Sequence, residues 1–406
     1  MPALEAFGGK MPTCFADLIP ESEDHKVWPV LVRRPVSGSV LVPDYSGRNY
    51  RAQDVVVRFP EETRDPRDDP ALIESVFGLS ASASPSQIDD PGVVARIIDA
   101  RHRGVIVKCL TSLTDARKGI VTKGWDVTQN LPAHHEVIRR LAKAGVLLRS
   151  PATIPHGKML HVHGGSAWFG SANLTRNSLR GNTVEAAVRL EDPQILGGMK
   201  SAFDLAWAAS SFAMVSRSRA VSLSEQRPPP SGDGEPRRQE WPSGGGICLL
   251  ASHPGGAPVI AGHLANALDQ ARDEVILSAM SLFRTNEIPL LGAALERCLA
   301  KGVNVRVVVR PEHFKPKDYP DPATLGLIKS GMTLLGVTGL HAKGFLIDGR
   351  RCGLQSANFN PYSLDPGVVT SNVELGLYGS ADSVELEGFA LFLERLAENP
   401  TNRFTI

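Results

Sequence analysis

The chain has 406 residues, 42% of them apolar, enough to bury one large core or two ordinary ones. Its 44 Lys and Arg against 43 Asp and Glu leave a net charge of +1, which excludes a protein-wide basic coat for polyanions but not a local basic cleft. Five Cys, at 14, 109, 248, 298 and 352, are widely spaced and form no C-x-x-C pair, so free thiols in a reducing compartment are expected. The first residues, MPALEAFGGKMPTCFADLIP, lack a basic start followed by an apolar stretch, and no segment approaches a membrane span. A cytoplasmic protein without stable membrane association is therefore the expectation.

Along the chain, residues 27–60 hold three short apolar runs, KVWPVLVRR, GSVLVPDY and DVVVRF, expected to be extra strands with no counterpart later on. Val93, Val94, Ile97 and Ile98 mark a helix closing at Gly104; GVIVKCLTS is the next strand, and a helix carrying Val137, Ile138 and Leu141 closes at Gly145. VLLRS leads to His156, and after a motif region come the strand VEAAVRL and the helix PQILGGMKSAFDLAWAAS. Residues 216–246, with a triple Pro and scattered Gly and Ser, read as a mobile linker. Beyond it the pattern repeats. Val275-Ile-Leu is a strand, Leu290, Leu291, Leu295, Cys298 and Leu299 mark a helix closing at Gly302, and VNVRVVV is a buried strand. A helix ending at Gly331, the strand MTLLGV, a second motif region, the strand VELGLYG and the helix SVELEGFALFLERLAEN complete the chain. The expected organisation is a half over 1–215, the linker 216–246 and a second half over 247–406. Strand–helix alternation in duplicate predicts an α/β fold of two helix-flanked sheets about a pseudo-twofold axis.

The duplication includes chemistry. His156-Gly-Lys158 precedes Ser171-Ala-Asn173, and His341-Ala-Lys343 precedes Ser356-Ala-Asn358, with Lys two, Ser fifteen and Asn seventeen residues after His in each copy. On an extended strand His and Lys project to one face, giving an anion site that can also move protons. Ser171 and Ser356 are expected to bind substrate beside Asn173 and Asn358, while Glu185 and Glu374 can each hold a histidine Nδ1–H. A zinc site from His156, His161 and His163 is disfavoured, because His156 falls on the opposite strand face from the other two and no Cys or acid completes it. No metal or other cofactor is expected.

At these residues the chain resembles the phospholipase D superfamily, whose signature is His-x-Lys-x4-Asp followed by Gly-Ser-x-Asn, twice per site. The second copy, HAKGFLID, ends on Asp348 as that pattern asks; the first has His163 at that place, and the second has Gln355 where the first has Gly170. The resemblance covers roughly residues 90–210 and 247–400 and implies a metal-free, two-step displacement at phosphorus. It implies His156 as nucleophile, His341 as acid and base, and Lys158, Lys343, Asn173 and Asn358 on the non-bridging oxygens. It also implies that the motif Asp is structural. Three functions compete: a nuclease, expected from the absence of an anchor and from Arg139, Arg140, Lys143, Arg306, Arg310, Lys315 and Lys317; a phospholipid phosphodiesterase or phosphatidyl transferase; and a disabled binding or assembly module, for which His163 and Gln355 speak. For a nuclease, nucleic acid is the substrate and a protein partner would supply sequence choice, as in bacterial restriction or antiviral defence. One chain carries both motifs, so a monomer suffices and the oligomeric state is open.

Overall fold

Aspartate followed by proline opens several helices where the apolar periodicity begins. The computed structural model describes residues 40–41, 80–83, 87–113, 133–151, 154–162, 167–179, 183–217, 220–225, 239–313, 321–365, 367 and 372–404. The first half runs β1 (Val40–Leu41), β2 (Ser80–Ala83), α1 (Pro91–His102), β3 (Ile106–Leu110), α2 (Ala133–Lys143), β4 (Leu147–Ser150), β5 (Lys158–Val162), β6 (Ala167–Gly170), α3 (Arg176–Leu179), β7 (Ala187–Leu190), α4 (Pro193–Ala208), β8 (Phe212–Arg217) and β9 (Ala220–Glu225). The second runs β10 (Glu240–Pro242), β11 (Cys248–Ser252), α5 (Val259–Asp269), β12 (Glu274–Ser278), α6 (Pro289–Ala300), β13 (Asn304–Val309), α7 (Pro322–Lys329), β14 (Thr333–Gly336), β15 (Gly344–Ile347), β16 (Arg351–Gln355), α8 (Pro361–Leu364), β17 (Glu374–Ser380), α9 (Glu387–Glu398) and β18 (Asn402–Arg403). Asp90, Asp192 and Asp321 cap α1, α4 and α7, each carboxylate accepting two backbone amides of the first turn ahead of a proline at the helix start. Gly104, Gly145, Gly302 and Gly331, expected to close helices, all adopt positive φ.

Two sheets result, ordered β1-β7-β6-β5-β2-β3-β4-β8-β9 and β10-β11-β17-β16-β15-β12-β13-β14-β18. From β7 to β4 and from β17 to β14 the two orders correspond strand for strand, with parallel pairing confined to β2-β3-β4 and β12-β13-β14. The outer face of the first sheet is covered by α1 and α2 and that of the second by α5 and α6. The central core joins α4, α9 and residues of both sheets, including Phe169, Phe203, Ile276, Val308 and Phe389. Two helix-flanked α/β halves packed about one central core are what the duplicated pattern predicts.

Some expectations change. Val40–Leu41 pairs antiparallel with β7 as β11 pairs with β17, so this part of the N-terminal segment does have a counterpart in the second half. The rest of the proposed strands in 27–60 lies outside the described residues. Parts of the expected linker, Ser216–Arg217, Ala220–Glu225 and Glu240–Pro242, are strands, because backbone pairing with β8 and β11 outweighs polar composition there; residues 226–238 lie outside the described residues. Leu290 is 43% exposed, since the face that α6 buries runs through Leu291, Ala294, Leu295 and Cys298 and Leu290 falls outside it. Cys109, Cys298 and Cys352 are buried free thiols and Cys248 is half-buried and free; Cys14 lies outside the described residues.

Candidate active site

Each motif histidine stands just ahead of a strand, where the backbone leaves its own sheet for the other half. The amides of His156 and Gly157 both donate to Val373 O, at 2.9 and 2.7 Å, and those of His341 and Ala342 both donate to Val184 O, at 2.8 and 2.7 Å. Parallel bridges Pro155–Val373 and Val184–Leu340 extend the seam. Lys158 opens β5 and Lys343 stands immediately before β15, so His and Lys are brought together by this crossing rather than by strand alternation alone. Gly157 is needed at the crossing: a Cβ there would lie 2.8 Å from Leu375 Cγ.

The seam delivers each histidine to the other half's glutamate. His156 Nδ1 bonds Glu374 Oε2 at 2.9 Å, and His341 Nδ1 bonds Glu185 Oε2 at 2.8 Å. Both carboxylates are fully buried and both rings nearly so. Burial alone would raise the Glu185 carboxyl, but His341, Lys343 and the Ser171 hydroxyl together hold it at about 2. Glu374 is lowered in the same way, burial being outweighed by His156, Lys158 and Ser356. Ionised carboxylates only accept, so each imidazole donates from Nδ1 and Nε2 remains for chemistry.

Lys158 Nζ donates to His156 O at 2.7 Å and Lys343 Nζ to His341 O at 2.5 Å, so each ammonium folds back beneath its own histidine. Burial lowers Lys158 to about 8 against the pull of Glu374 and Glu185. Burial, reinforced by the Lys158 charge, lowers Lys343 to about 7, and Arg310 contributes in the same direction. His341 is lowered to about 4 by burial and by both lysines, with Glu185 opposing; His156 is lowered by burial and the same two ammonium groups, with Glu374 opposing. Each histidine feels both lysines, which places all four groups in one electrostatic site.

Ser171 and Ser356, expected to touch substrate, are committed elsewhere. Each hydroxyl donates to a glutamate Oε2 at 2.5 Å and accepts a backbone amide, from Ala186 at 3.0 Å and Leu375 at 2.9 Å. They hold the carboxylates that hold the histidines. Thr183 Oγ1 donates to Glu185 Oε1 at 3.0 Å and Asn372 Nδ2 to Glu374 Oε1 at 3.1 Å. Sequence reasoning missed this pair, although both stand two residues before their glutamate. Asn358 Oδ1 accepts from Met280 N at 3.2 Å, turning its NH2 outward from that amide; Asn173 takes the matching place after β6 and is half-buried.

The departures from the signature have packing explanations. Gly170 is obligatory, since a Cβ would stand 2.2 Å from Ala186 O. At the matching place Gln355 pairs with Gly376 where Gly170 pairs with Ala187, so the glycine has moved to the facing strand. Gln355 is buried, donates to Ala357 O at 2.9 Å and accepts from the Tyr378 hydroxyl. Asp348 accepts the amides of Arg272, Asp273 and Glu274 at 2.9–3.3 Å, a structural role. His163 lies outside the described residues. Of the outlying cations, Arg310 alone among those described acts on a site lysine, Lys343, and it stands 3.8 Å from Glu312; Arg306 is paired with Glu274 at 2.7 Å, Arg139 stands 3.9 Å from Glu136, and Arg140 and Lys143 are exposed. Lys315 and Lys317 lie outside the described residues. Phe169, Phe345 and Phe359 are core residues and Trp168 packs against the outer core of the first half.

The sequence model of the family described as cardiolipin synthase, PLD-like domain, matches residues 81–207 and 264–384, together more than half the chain. The fold is similar to the crystal structure of phosphatidylserine synthase from Haemophilus influenzae Rd KW20, with TM-score 0.53, 11% identity and coverage of 84% of this chain and 86% of that one. Polyphosphate kinase from Porphyromonas gingivalis matches with TM-score 0.45 and 12% identity over 76% and 42% of the two chains. Nuc from Salmonella typhimurium, a phospholipase D family member, matches with TM-score 0.29 and 18% identity over 39% and 98%. No curated protein matches. With two matched segments, one in each half, and the crossed histidines between them, the chain belongs to the phospholipase D superfamily, in the family of cardiolipin synthase PLD-like domains.

Proposed function

We propose that the chain hydrolyses phosphodiesters by two displacements at phosphorus, without a metal ion, and that its substrate is a nucleic acid backbone. The observation that supports the chemistry is the crossed pairing, which puts two Nδ1-anchored imidazoles and two buried ammonium groups in one site. His156 attacks phosphorus through Nε2; the P–N bond forms as the P–O bond to the leaving group breaks, and His341 passes its Nε2 proton to the leaving oxygen. Neutral His341 then takes a proton from water, whose oxygen attacks phosphorus and breaks the P–N bond. Lys158, Lys343, Asn173 and Asn358 hold the non-bridging oxygens as charge builds there. In the free site both rings favour the neutral form. A bound diester's negative charge opposes that and lets His341 keep the proton it must deliver.

The nucleic acid reading draws support from Arg310, a third cation whose charge reaches Lys343 although its guanidinium stands 3.8 Å from Glu312. Sequence choice would then come from a protein partner. A second reading, transfer or hydrolysis of a phospholipid headgroup, is favoured by the family's description and by the phosphatidylserine synthase fold match. There an alcohol can replace water in the second step. Among the described residues no helix is long and apolar enough to cross a membrane. Assays in EDTA on plasmid, single-stranded oligonucleotides and mixed phospholipid vesicles separate the two. EDTA-resistant cleavage lost by at least about a thousandfold in His156→Asn is expected. His341→Asn should accumulate label on the protein from a phosphorus-labelled diester; label accumulating only when His156 is removed reverses the assignment. No turnover on any diester refutes the reading.

A further inference from the structure

The duplication allows the two rims of the site to be compared position by position. Ile88–Leu174 and Leu282–Phe359 are matching bridges, and the next residues, Asp89 and Phe283, donate their amides to Leu174 O and Phe359 O, both at 3.1 Å. Four residues beyond each motif asparagine stand Asn177 and Tyr362. The Asn177 carbonyl accepts from Thr183 Oγ1 at 3.4 Å and the Tyr362 carbonyl from Asn372 N at 2.8 Å. Thr183 and Asn372 are the residues that grip the two glutamates, so each rim is joined through one residue to a carboxylate that holds a motif histidine. The backbone frame is shared and the side chains differ.

The first rim is polar: Asp89 accepts the Arg176 amide at 2.8 Å beside Asn177. The second is aromatic and carries an Arg–Glu ion pair. Phe283 and Tyr362 lie with ring centroids 6.5 Å apart and tilted 51°, and Tyr362 is 41% exposed. Arg284 Nη1 donates to the Tyr362 hydroxyl at 3.3 Å, while Glu287 holds the rest of the guanidinium. Arg284 also has φ 53 and ψ 41, one of two non-glycine residues with positive φ among those described. The other, Asp348, accepts the amides of Arg272, Asp273 and Glu274. At Arg284 the left-handed backbone costs energy for a bulky side chain, and such strain concentrates at ligand-binding places.

We propose that Phe283, Arg284 and Tyr362 form a stacking subsite for a nucleobase next to the scissile phosphate, so that the two flanks of a pseudo-symmetric centre receive different parts of the substrate. This rests on the nuclease reading above. A tyrosine whose hydroxyl meets a guanidinium held by Glu287, with Asp321 accepting Arg284 N at 3.3 Å, suits a flat heterocycle with polar edges. A fatty-acyl chain would lie with its methylenes against those charges. Stacking of this kind tolerates any base.

The test measures binding of a short single-stranded oligonucleotide to the His156→Asn protein in EDTA, by fluorescence anisotropy. Adding Tyr362→Ala should weaken binding about tenfold, and Tyr362→Trp should keep it within about twofold. With an oligonucleotide of equal length lacking bases, the Tyr362→Ala penalty should disappear, because only backbone contacts remain. Equal affinity of Tyr362→Ala and its parent for the normal oligonucleotide overturns the subsite and leaves the nuclease reading intact. Absence of nucleic acid binding together with turnover of phospholipid alone overturns both.

Discussion

At the scale of the residue, the site sets activity and stability against each other. Lys343 falls from an ordinary 10.5 to about 7, His341 from 6.5 to about 4 and Glu185 from 4.5 to about 2. In all three the folded chain binds the proton more weakly than the unfolded one, so stability rises with pH through each window. It rises from about 7 to 10.5 for Lys343, while the losses at His341 and Glu185 fall between 6.5 and about 4 and between 4.5 and about 2. Anion binding runs the other way, because Lys343 and then Lys158 lose their charge as pH climbs past about 7 and about 8. Between pH 7 and 9, kcat/KM on a diester should drop about tenfold or more while Tm rises. Parallel pH profiles of initial rate and thermal unfolding check this; a Tm that falls over that range contradicts the buried-cation account. The paired His and Lys were legible because their offsets repeat. Ser171 and Ser356 misled because a hydroxyl near a phosphate motif can face the phosphate or a carboxylate, and offsets do not distinguish these.

At the scale of the element, a motif residue can be conspicuous in sequence and remote from chemistry. Asp348 sits with φ 52 in the turn after β15 and ties the start of β12 to it through three amides. Asp348→Ala leaves those donors without the carboxylate. It should cost about 2 kcal/mol of stability, seen as a lower denaturant midpoint, while kcat below the unfolding range stays within about twofold. A hundredfold fall in kcat with stability unchanged would instead put Asp348 in the reaction. The helix closures at Gly104, Gly145, Gly302 and Gly331 were read correctly because Gly acts locally, through φ. The match of Val40–Leu41 to β11 was not, since two residues at a sheet edge carry no periodicity, and their position is fixed by pairing with β7.

At the scale of the whole molecule, the two halves are interdependent through their carboxylates. Single-copy offsets could suggest that a glutamate supports a histidine, but not that the support crosses between halves; that follows only from packing both sheets on α4 and α9. A double-mutant cycle tests it. Glu374→Gln with His156→Ala should be strongly non-additive in stability, with a coupling of about 1 kcal/mol or more. Glu185→Gln with His156→Ala should be nearly additive. Equal coupling in both cycles would contradict the crossed arrangement.

The crossing also orders events during synthesis. His156 leaves the ribosome more than two hundred residues before Glu374, the group that fixes its tautomer, and His341 emerges later still than Glu185. A nascent chain therefore carries His156 without its orienting carboxylate until Glu374 has been made, so the paired site cannot assemble before both halves exist.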